Sequence, residues 1–504
     1  MDPRDQEAFD RLQRKLVPLW PSIESFNNDD QTIVVVPSVD VDYPLTSTEM
    51  QAYEERDLFL VLLLRQPRAR MIYVTGQSIG AGIIDYYLDL MPAAMASHAR
   101  RRLFLVSPQD GSARPLTSKL LERPRVIRTI RSLIPDPDRA HMVPFGNTWP
   151  DRALAMELGI PMYGCDPRLL HMGTKSGSRR LFAEEGVPHP AGRENIRTES
   201  ELIAAVSSMR LDDPGISSVV VKLDDGVGGG SNALLDLSSL PLNSDASDVE
   251  AIRGLLAGMV FELPGLNRDG FFEKLGLQGG IVEERIEGDR FASPSVQLRV
   301  TPNGKVEILS THDQLLGGPS GLTFLGSRFP ANAEYASRIS EHAETIGRRL
   351  AREGVLGRFA VDFVVTRSDS GWNARAIELN LRKGGTTHPY LTLQFLTGGA
   401  YDPAAGLFTT PSGKQKFYVA SDHLESDAFR TLTPDDLYDM ALTTGIHFDP
   451  TRQTGAIFHM MSALPDRGRA GLTVIGDSPE EAEERYQQAV AAVHAEAAAA
   501  RAGA

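Results

Sequence analysis

The sequence predicts an α/β protein in three parts: a doubly wound parallel sheet, a larger α+β region, and a small α+β unit at the C-terminus. Three observations carry that expectation. Short apolar runs such as Ile33–Val36 and Met71–Val74 alternate with helical patterns as far as about residue 166, which is how a parallel sheet covered on both faces reads. A glycine-rich segment, Gly226 to Ser231, follows an apolar run that ends in Lys222. In Ala376 to Gly385, a strand-like run, Glu378, Asn380 and Arg382 take alternate positions. They then share one face, with Ile377, Leu379 and Leu381 on the other.

Taken in order, residues 1 to about 30 read as helix and then loop, and Ile33–Val36 is the first strand. Thr46 and Glu49 form a capping box that opens a helix running to about Leu64. Further strands are expected at Met71–Val74, Leu103–Val106, Met142–Val143 and Pro161–Tyr163, with helices over about 83–90 and 151–158. A basic helical piece, Thr174–Phe182, is stopped by Gly186 and Pro188. A helix over 201–209, a strand over 219–222 and a strand over 280–286 follow. Ser295–Val300 and Lys305–Ser310 make a hairpin around Pro302-Asn303-Gly304. A helix spans about 333–353, and two strands, 359–366 and 374–381, flank Ser368–Gly371. After about Gly398 come a helix capped by Thr433, strands near 455–461 and 471–475, and a helix ending in an alanine-rich tail expected to fray. The divisions expected are 1–166, 167–400 with a lid subdomain over about 200–285, and 401–504.

With 504 residues and 41% apolar content the chain can fill several cores. A net charge of −14 argues against a nucleic-acid partner. The single cysteine, Cys165, rules out an intrachain disulfide and suits a reducing cytoplasm; it is either a buried small apolar residue or a nucleophile. The first fifteen residues are too charged for a signal peptide, and no run approaches a membrane span.

Several residues point to nucleotide chemistry. Glycines allow a backbone to approach an anion closely and aim N–H groups at phosphate oxygens. Gly226, Gly228, Gly229, Gly230 and Ser231 lie after Lys222, but neither the Walker A spacing nor the dinucleotide fingerprint is present. Lys175 is either a second phosphate ligand or a solvated surface lysine. Ile281–Ile286, with Glu283 and Glu284, is either an adenine-binding hinge or a plain strand with charged ends. Asp362 lies mid-strand among apolar residues, where a carboxylate requires a partner or a metal. With Glu378 and Asn380 it offers an oxygen set for magnesium, and Arg382, reinforced by Lys383, offers positive charge for a transferring phosphoryl group.

The order Lys175, Lys222, glycine loop, Val-Glu-Glu hinge, Asp362 and Glu-x-Asn-x-Arg resembles the ATP-grasp carboxylate–amine ligases over residues ~30 to ~395. Gly384–Pro389 and the small C-terminal unit look like the pheganomycin peptide ligase group within them. The resemblance implies a Rossmann-like pre-ATP-grasp domain, a two-lobed ATP-grasp domain and a C-terminal cap. It implies that Lys175 and Lys222 grip the phosphates of ATP under the glycine lid, that Glu283, Glu284 and Ile286 border the base, and that Asp362, Glu378 and Asn380 hold two Mg²⁺ ions. It gives Arg382, Lys383 and His388 catalytic roles. A ribose-binding glutamate of the family is matched here by Arg290, so that Glu287 or Asp289 takes its place. The activity implied is amide-bond formation between an acid and an amine, amino acid or peptide through an acyl phosphate, in peptide natural-product or antibiotic biosynthesis. Relatives of this kind are often homodimers.

Asp313, Arg328, His459 and Arg467, with His312 and Arg469, are either substrate contacts or ordinary structural residues, and the glycines at 317, 318, 321 and 326 mark either a mobile loop over the site or a plain surface loop. Two other readings stay open on the residues: a phosphotransferase on the same scaffold, and a non-catalytic nucleotide-binding protein. The retained Asp362, Glu378, Asn380 and Arg382 favour an enzyme.

Overall fold

The structure, a computed structural model, describes residues 3–40, 45–226, 229–241, 248–263, 265–288, 290–369 and 371–502. Strands Gln31–Val36, Ala69–Val74, Leu103–Val106 and Ala140–Pro144 make a parallel sheet in the spatial order third, second, first, fourth. Every residue of Gln31–Val36 is buried, as a central strand covered on both faces requires. Pro161–Tyr163 does not become a fifth strand. Met162 makes a single bridge to Met142, and the N–H of Gly164 then turns back onto the Met162 carbonyl at 2.9 Å. The Thr46–Glu49 capping box is present, but its helix ends at Arg56 rather than near Leu64. Asp57–Arg65 continues as 3-10 turns with Leu58, Phe59, Leu60, Val61, Leu62 and Leu64 all buried. This run has no polar face to show to solvent, so it is sunk between neighbours instead of lying on the surface.

The middle and C-terminal parts form one nine-stranded sheet. Its central hairpin is Pro294–Val300 with Val306–Gly317, as expected around Gly304. Gly357–Ser368 lies beside Pro294–Val300 and is covered on its other side by Gly371–Asn380. Thr323–Phe329 pairs with Phe417–Glu425, which pairs with Arg469–Gly476, which pairs with Gly455–His459. The boundary expected near residue 400 therefore falls within a continuous sheet. One core also joins the ends of the chain: Ile33, Leu62 and Tyr73 pack in the same cluster as Tyr418, Leu472 and Val493.

The C-terminal helix, Pro479–Ala502, is held rather than frayed, with Ala489, Val493 and Ala497 buried in that core. Helix Ala333–Arg352 covers the far face of the large sheet over Val296, Leu298, Phe359 and Val361. Cys165 is buried in that core, which makes it a packing residue rather than an accessible nucleophile, and burial pushes its thiol up to about 12. A five-stranded antiparallel sheet over 192–284 forms a separate lobe with its own core around Val221, Leu235 and Phe271. At Gly357 (φ 96°) a side chain would meet the Gly164 backbone at 2.9 Å, so two glycines allow the N-terminal region to lie directly on the large sheet.

Candidate active site

Gly357–Ser368 alternates cleanly. Phe359, Val361, Phe363 and Val365 enter the core, while Ala360, Asp362 and Val364 face a cavity of about 1010 Å³. Asp362 is directly opposite Glu378, and Ala360 is opposite Asn380. A bulge at Asp362/Phe363 breaks the alternation expected of Gly371–Asn380. Leu379 and Leu381 are buried in the core as expected, but Ile377 lines the cavity beside Glu378, Asn380 and Arg382. Asn380 donates from Nδ2 to Asp362 Oδ2 at 3.1 Å, and Arg382 donates to Asn380 Oδ1.

Lys175 begins helix Lys175–Glu184, whose cap is Thr174. It is buried, does not line the cavity itself, and donates to Glu378 Oε1 at 2.7 Å. Burial, followed by the charge of Glu378, pushes the Asp362 carboxyl up to about 6. Burial also opposes ionisation of Glu378, but Lys175 and then Arg382 hold it below the ordinary carboxylate value. Burial lowers the Arg382 guanidinium. Two half-buried carboxylates and a carboxamide oxygen on adjacent strands make a hard oxygen donor set. That chemistry fits a divalent cation such as magnesium.

Lys222 stands at the end of Ser218–Leu223 and lines the cavity, bonded to Glu283. Glu283 also accepts from Arg179 at 3.0 Å, so its carboxylate is engaged inside the protein. Glu284 accepts from the Ala191 N–H at 2.9 Å and lines the cavity with Ile286 and Glu287. Of the glycine loop, Gly229 and Gly230 line the cavity; the Gly226 carbonyl accepts from Arg382 at 3.3 Å, and the Ser231 carbonyl accepts from Leu223 N–H. Gly228 and Asp289 lie outside the described residues. Gly229 (φ 84°) sits so close to the Leu322 carbonyl that a side chain there would come within 2.4 Å. Glu262, on the same lobe, accepts from Ser320 N–H at 2.8 Å and Thr323 Oγ1 at 2.6 Å. The small lobe thus rests on the 318–323 turn across the cavity.

The far wall carries Arg56, Asp422, His423, Glu425, Arg467 and Arg469. Arg56 donates to Asp422 Oδ2 at 2.6 Å, and Arg467 pairs with Glu49 at 3.2 Å. Of the expected substrate residues, only Arg467, with Arg469, reaches the cavity. His459 lies behind Asp422, 2.9 Å from its Oδ1, and His388 lies behind His459 at 2.9 Å, so neither faces the chamber. Asp313 accepts from Tyr335 and from the Asn332 N–H at the start of a helix. Arg328 pairs with Glu483 at 3.0 Å and anchors the C-terminal helix, while His312 bonds Tyr418 in an aromatic core. Lys383 lines the cavity with its ammonium on Asp57, away from Asp362 and Glu378.

A family profile described as "IQCH-like, ATP-grasp" matches residues 167–254 and 267–403, and one described as "PGM1 C-terminal domain" matches 436–489. The chain is 30% identical over 438 residues to L-propargylglycine–L-glutamate ligase of Streptantibioticus cattleyicolor, covering 85% of this chain and 86% of that protein. It belongs to the ATP-grasp ligases. This ligase is also 24% identical to IQ motif-containing protein H of Danio rerio, over 94% of its own length but 49% of that protein. Among solved structures, its fold is similar to the biotin carboxylase domain of 2-oxoglutarate carboxylase from Hydrogenobacter thermophilus (TM-score 0.54, 13% identity, 91% and 89% of the two chains). It is similar to N5-carboxyaminoimidazole synthetase from Staphylococcus aureus, solved with ADP (TM-score 0.53, 9% identity, 92% and 99%). As a member of this family it is an ATP-dependent enzyme that joins an acid to an amine. No described helix of this ligase is long and apolar enough to cross a membrane.

Arg56, Glu262, Arg179 and Asp422 escaped the sequence reading. The only signal for Arg56 was the charge cluster Glu54-Glu55-Arg56-Asp57 running straight into an apolar stretch, and its partners lie elsewhere in the chain. Glu262 had no signal in the sequence at all.

Proposed function

We propose that this ligase activates the carboxylate of one amino acid or peptide with ATP and joins it to the amine of another, in the assembly of a peptide natural product. The observation that carries the reading is the convergence of Lys222, Asp362, Glu378, Asn380 and Arg382 on one cavity, with Lys175 directly behind Glu378. The relative's printed name, joining L-propargylglycine to L-glutamate, supports amino-acid substrates. The open part of the far wall agrees, since it carries the part-exposed Arg467 and the exposed Glu425, opposite charges that suit a zwitterion.

Asp362, Glu378 and Asn380 would hold magnesium, as one ion or two; when bound, it supplies charge neutralisation for the nucleotide phosphates. Lys222 and the N–H groups around Gly229 and Gly230 bind the phosphates, and Ile286 and Phe291 border the base. Arg382 holds the γ-phosphoryl group while the acid's carboxylate oxygen attacks phosphorus and ADP leaves. The amine then attacks the acyl carbon, phosphate departs, and the amine's proton is lost. Positioning and fixed charge carry both steps. The small lobe, resting on the 318–323 turn through Glu262, excludes the water that would hydrolyse the acyl phosphate.

The test is ADP release with pairs of amino acids and short peptides, with mass spectrometry of the products. Turnover requires both partners and yields their amide, and Arg382→Ala abolishes it. Full turnover with one partner and a stable phosphorylated product would identify a kinase instead.

A further inference from the structure

A second cavity, of about 340 Å³, adjoins the first, and Phe145 and Lys383 belong to the walls of both. The large sheet explains the arrangement. Asp362, Ala360 and Arg358 take alternate positions on one strand, and Ser295, Gln297 and Arg299 face them in register on the next. One sheet face therefore carries the magnesium end and, roughly 13 Å along at about 3.3 Å per residue, a pair of arginines.

Like charges directly opposite each other on neighbouring strands repel. Arg299 is relieved: it donates to Glu307 at 2.6 Å and lies 4.8 Å over the Trp20 ring. Arg358 is relieved only in part. The Glu307 carboxylate acts on it too, but its Nη1 is buried with no hydrogen-bond partner among the described residues, and burial pulls the guanidinium below its ordinary value. Two further buried polar atoms on the same wall lack partners, His141 Nδ1 and Tyr163 Oη. Leu60, Leu63, Leu309, Leu391 and Phe395 make much of the remaining surface apolar. A guanidinium nitrogen buried without a hydrogen-bond partner is costly to a fold, and an anion from outside the protein would satisfy it. Three unsatisfied polar atoms around one apolar-walled space describe a ligand with a charged head and a hydrocarbon body.

We propose that this cavity is a second binding site, anchored on Arg358, for the carboxylate of a small molecule with an apolar body. Building on the ligase reading above, its occupant is the free carboxylate end of an apolar short-peptide substrate, for which single apolar amino acids serve as carboxylate probes. That substrate's amine reaches the reaction chamber between Phe145 and Lys383.

The test is isothermal titration of the full chain with L-leucine, L-phenylalanine and Leu-Leu, against their C-terminal amides. At least one acid binds about tenfold more tightly than its amide, and Arg358→Gln removes that difference while leaving affinity for a non-hydrolysable ATP analogue unchanged. Arg358→Met keeps or raises the melting temperature, because it removes a partly desolvated charge that lies opposite Arg299 and whose Nη1 has no hydrogen-bond partner among the described residues. If the acid is the substrate, it supports ADP release and Arg358→Gln raises its KM at unchanged kcat. If the same acid binds without supporting turnover, the site serves a carboxylate effector. The proposal is overturned if no acid binds by about 10 mM, if acids and amides bind alike, if Arg358→Gln leaves acid binding intact, or if Arg358→Met lowers the melting temperature by many degrees. Retained ADP release in Arg382→Ala would instead sink the ligase reading, whatever the titration shows.

Discussion

The two ends of the large cavity both carry clustered charges, buried at the far end and half-buried at the Asp362 end, and they are balanced differently. At the far end the buried charges have protein partners: Arg56 with Asp422 and Lys383 with Asp57. At the other end Glu378 is paired with Lys175, but Asp362 faces Glu378 across a strand pair, and the side chains that hydrogen-bond it, Asn380 and Ser295, are neutral. Charges that satisfy one another hold segments together. Charges left in excess wait for a ligand. The difference separates framework from chemistry within one chamber.

The widest separation is expected from two aspartates. Asp362→Asn keeps the volume and removes a carboxylate that burial already disfavours, so turnover falls by about 10²–10³ while the melting temperature at pH 8 does not drop. Asp422→Ala leaves Arg56 buried without its partner and should cost about 3–5 kcal/mol in denaturant unfolding. Equal stability losses in the two variants would erase the distinction.

A smaller effect comes from Glu54. Burial pushes its carboxyl up to about 7, against the hydrogen bond it accepts from the Gly76 N–H. The folded state therefore holds this proton more tightly than the unfolded chain, whose value is near 4.5. Stability contributed by Glu54 is lost as pH rises from 4.5 toward 7 and is flat above that range. Glu54→Gln, which keeps an acceptor for Gly76, should lack that decline in thermal unfolding between pH 4.5 and 8; an unchanged pH profile would contradict the assignment. The smallest effect is expected at Arg328, whose exposed pair with Glu483 holds only the C-terminal helix. Arg328→Ala should shift stability by no more than about 1 kcal/mol and leave the KM of both substrates unchanged.

The carboxylate end was legible in the sequence because its residues are local. Glu378 and Asn380 are spaced by the pleat of one strand, Arg382 follows two residues past its end, and Asp362 stands out as a carboxylate in an apolar strand. The bulge that turns Ile377 into the cavity was not legible, since it depends on how two strands pair. The far end was opaque for another reason: Arg56 meets Asp422 and Lys383 meets Asp57 across more than three hundred residues. His388, His459, Asp313 and Arg328 have the side chains of ligand-binding residues, but each is tied to an internal partner: His388 to His459, His459 to Asp422, Asp313 to Tyr335 and Arg328 to Glu483. The single sheet joining the middle and C-terminal regions was hidden too, because nothing in Phe417–Glu425 names the strand it will pair with.

The central claim is that one magnesium nucleotide lies between Lys222 and the Asp362–Arg382 strand pair. A crystal structure with magnesium and a non-hydrolysable ATP analogue tests it most directly. The account expects the triphosphate within hydrogen-bonding reach of Lys222 and Arg382, with metal density against the Asp362 and Glu378 carboxylates. A triphosphate bound in another part of the protein, or those carboxylates turned away from it, would contradict the account.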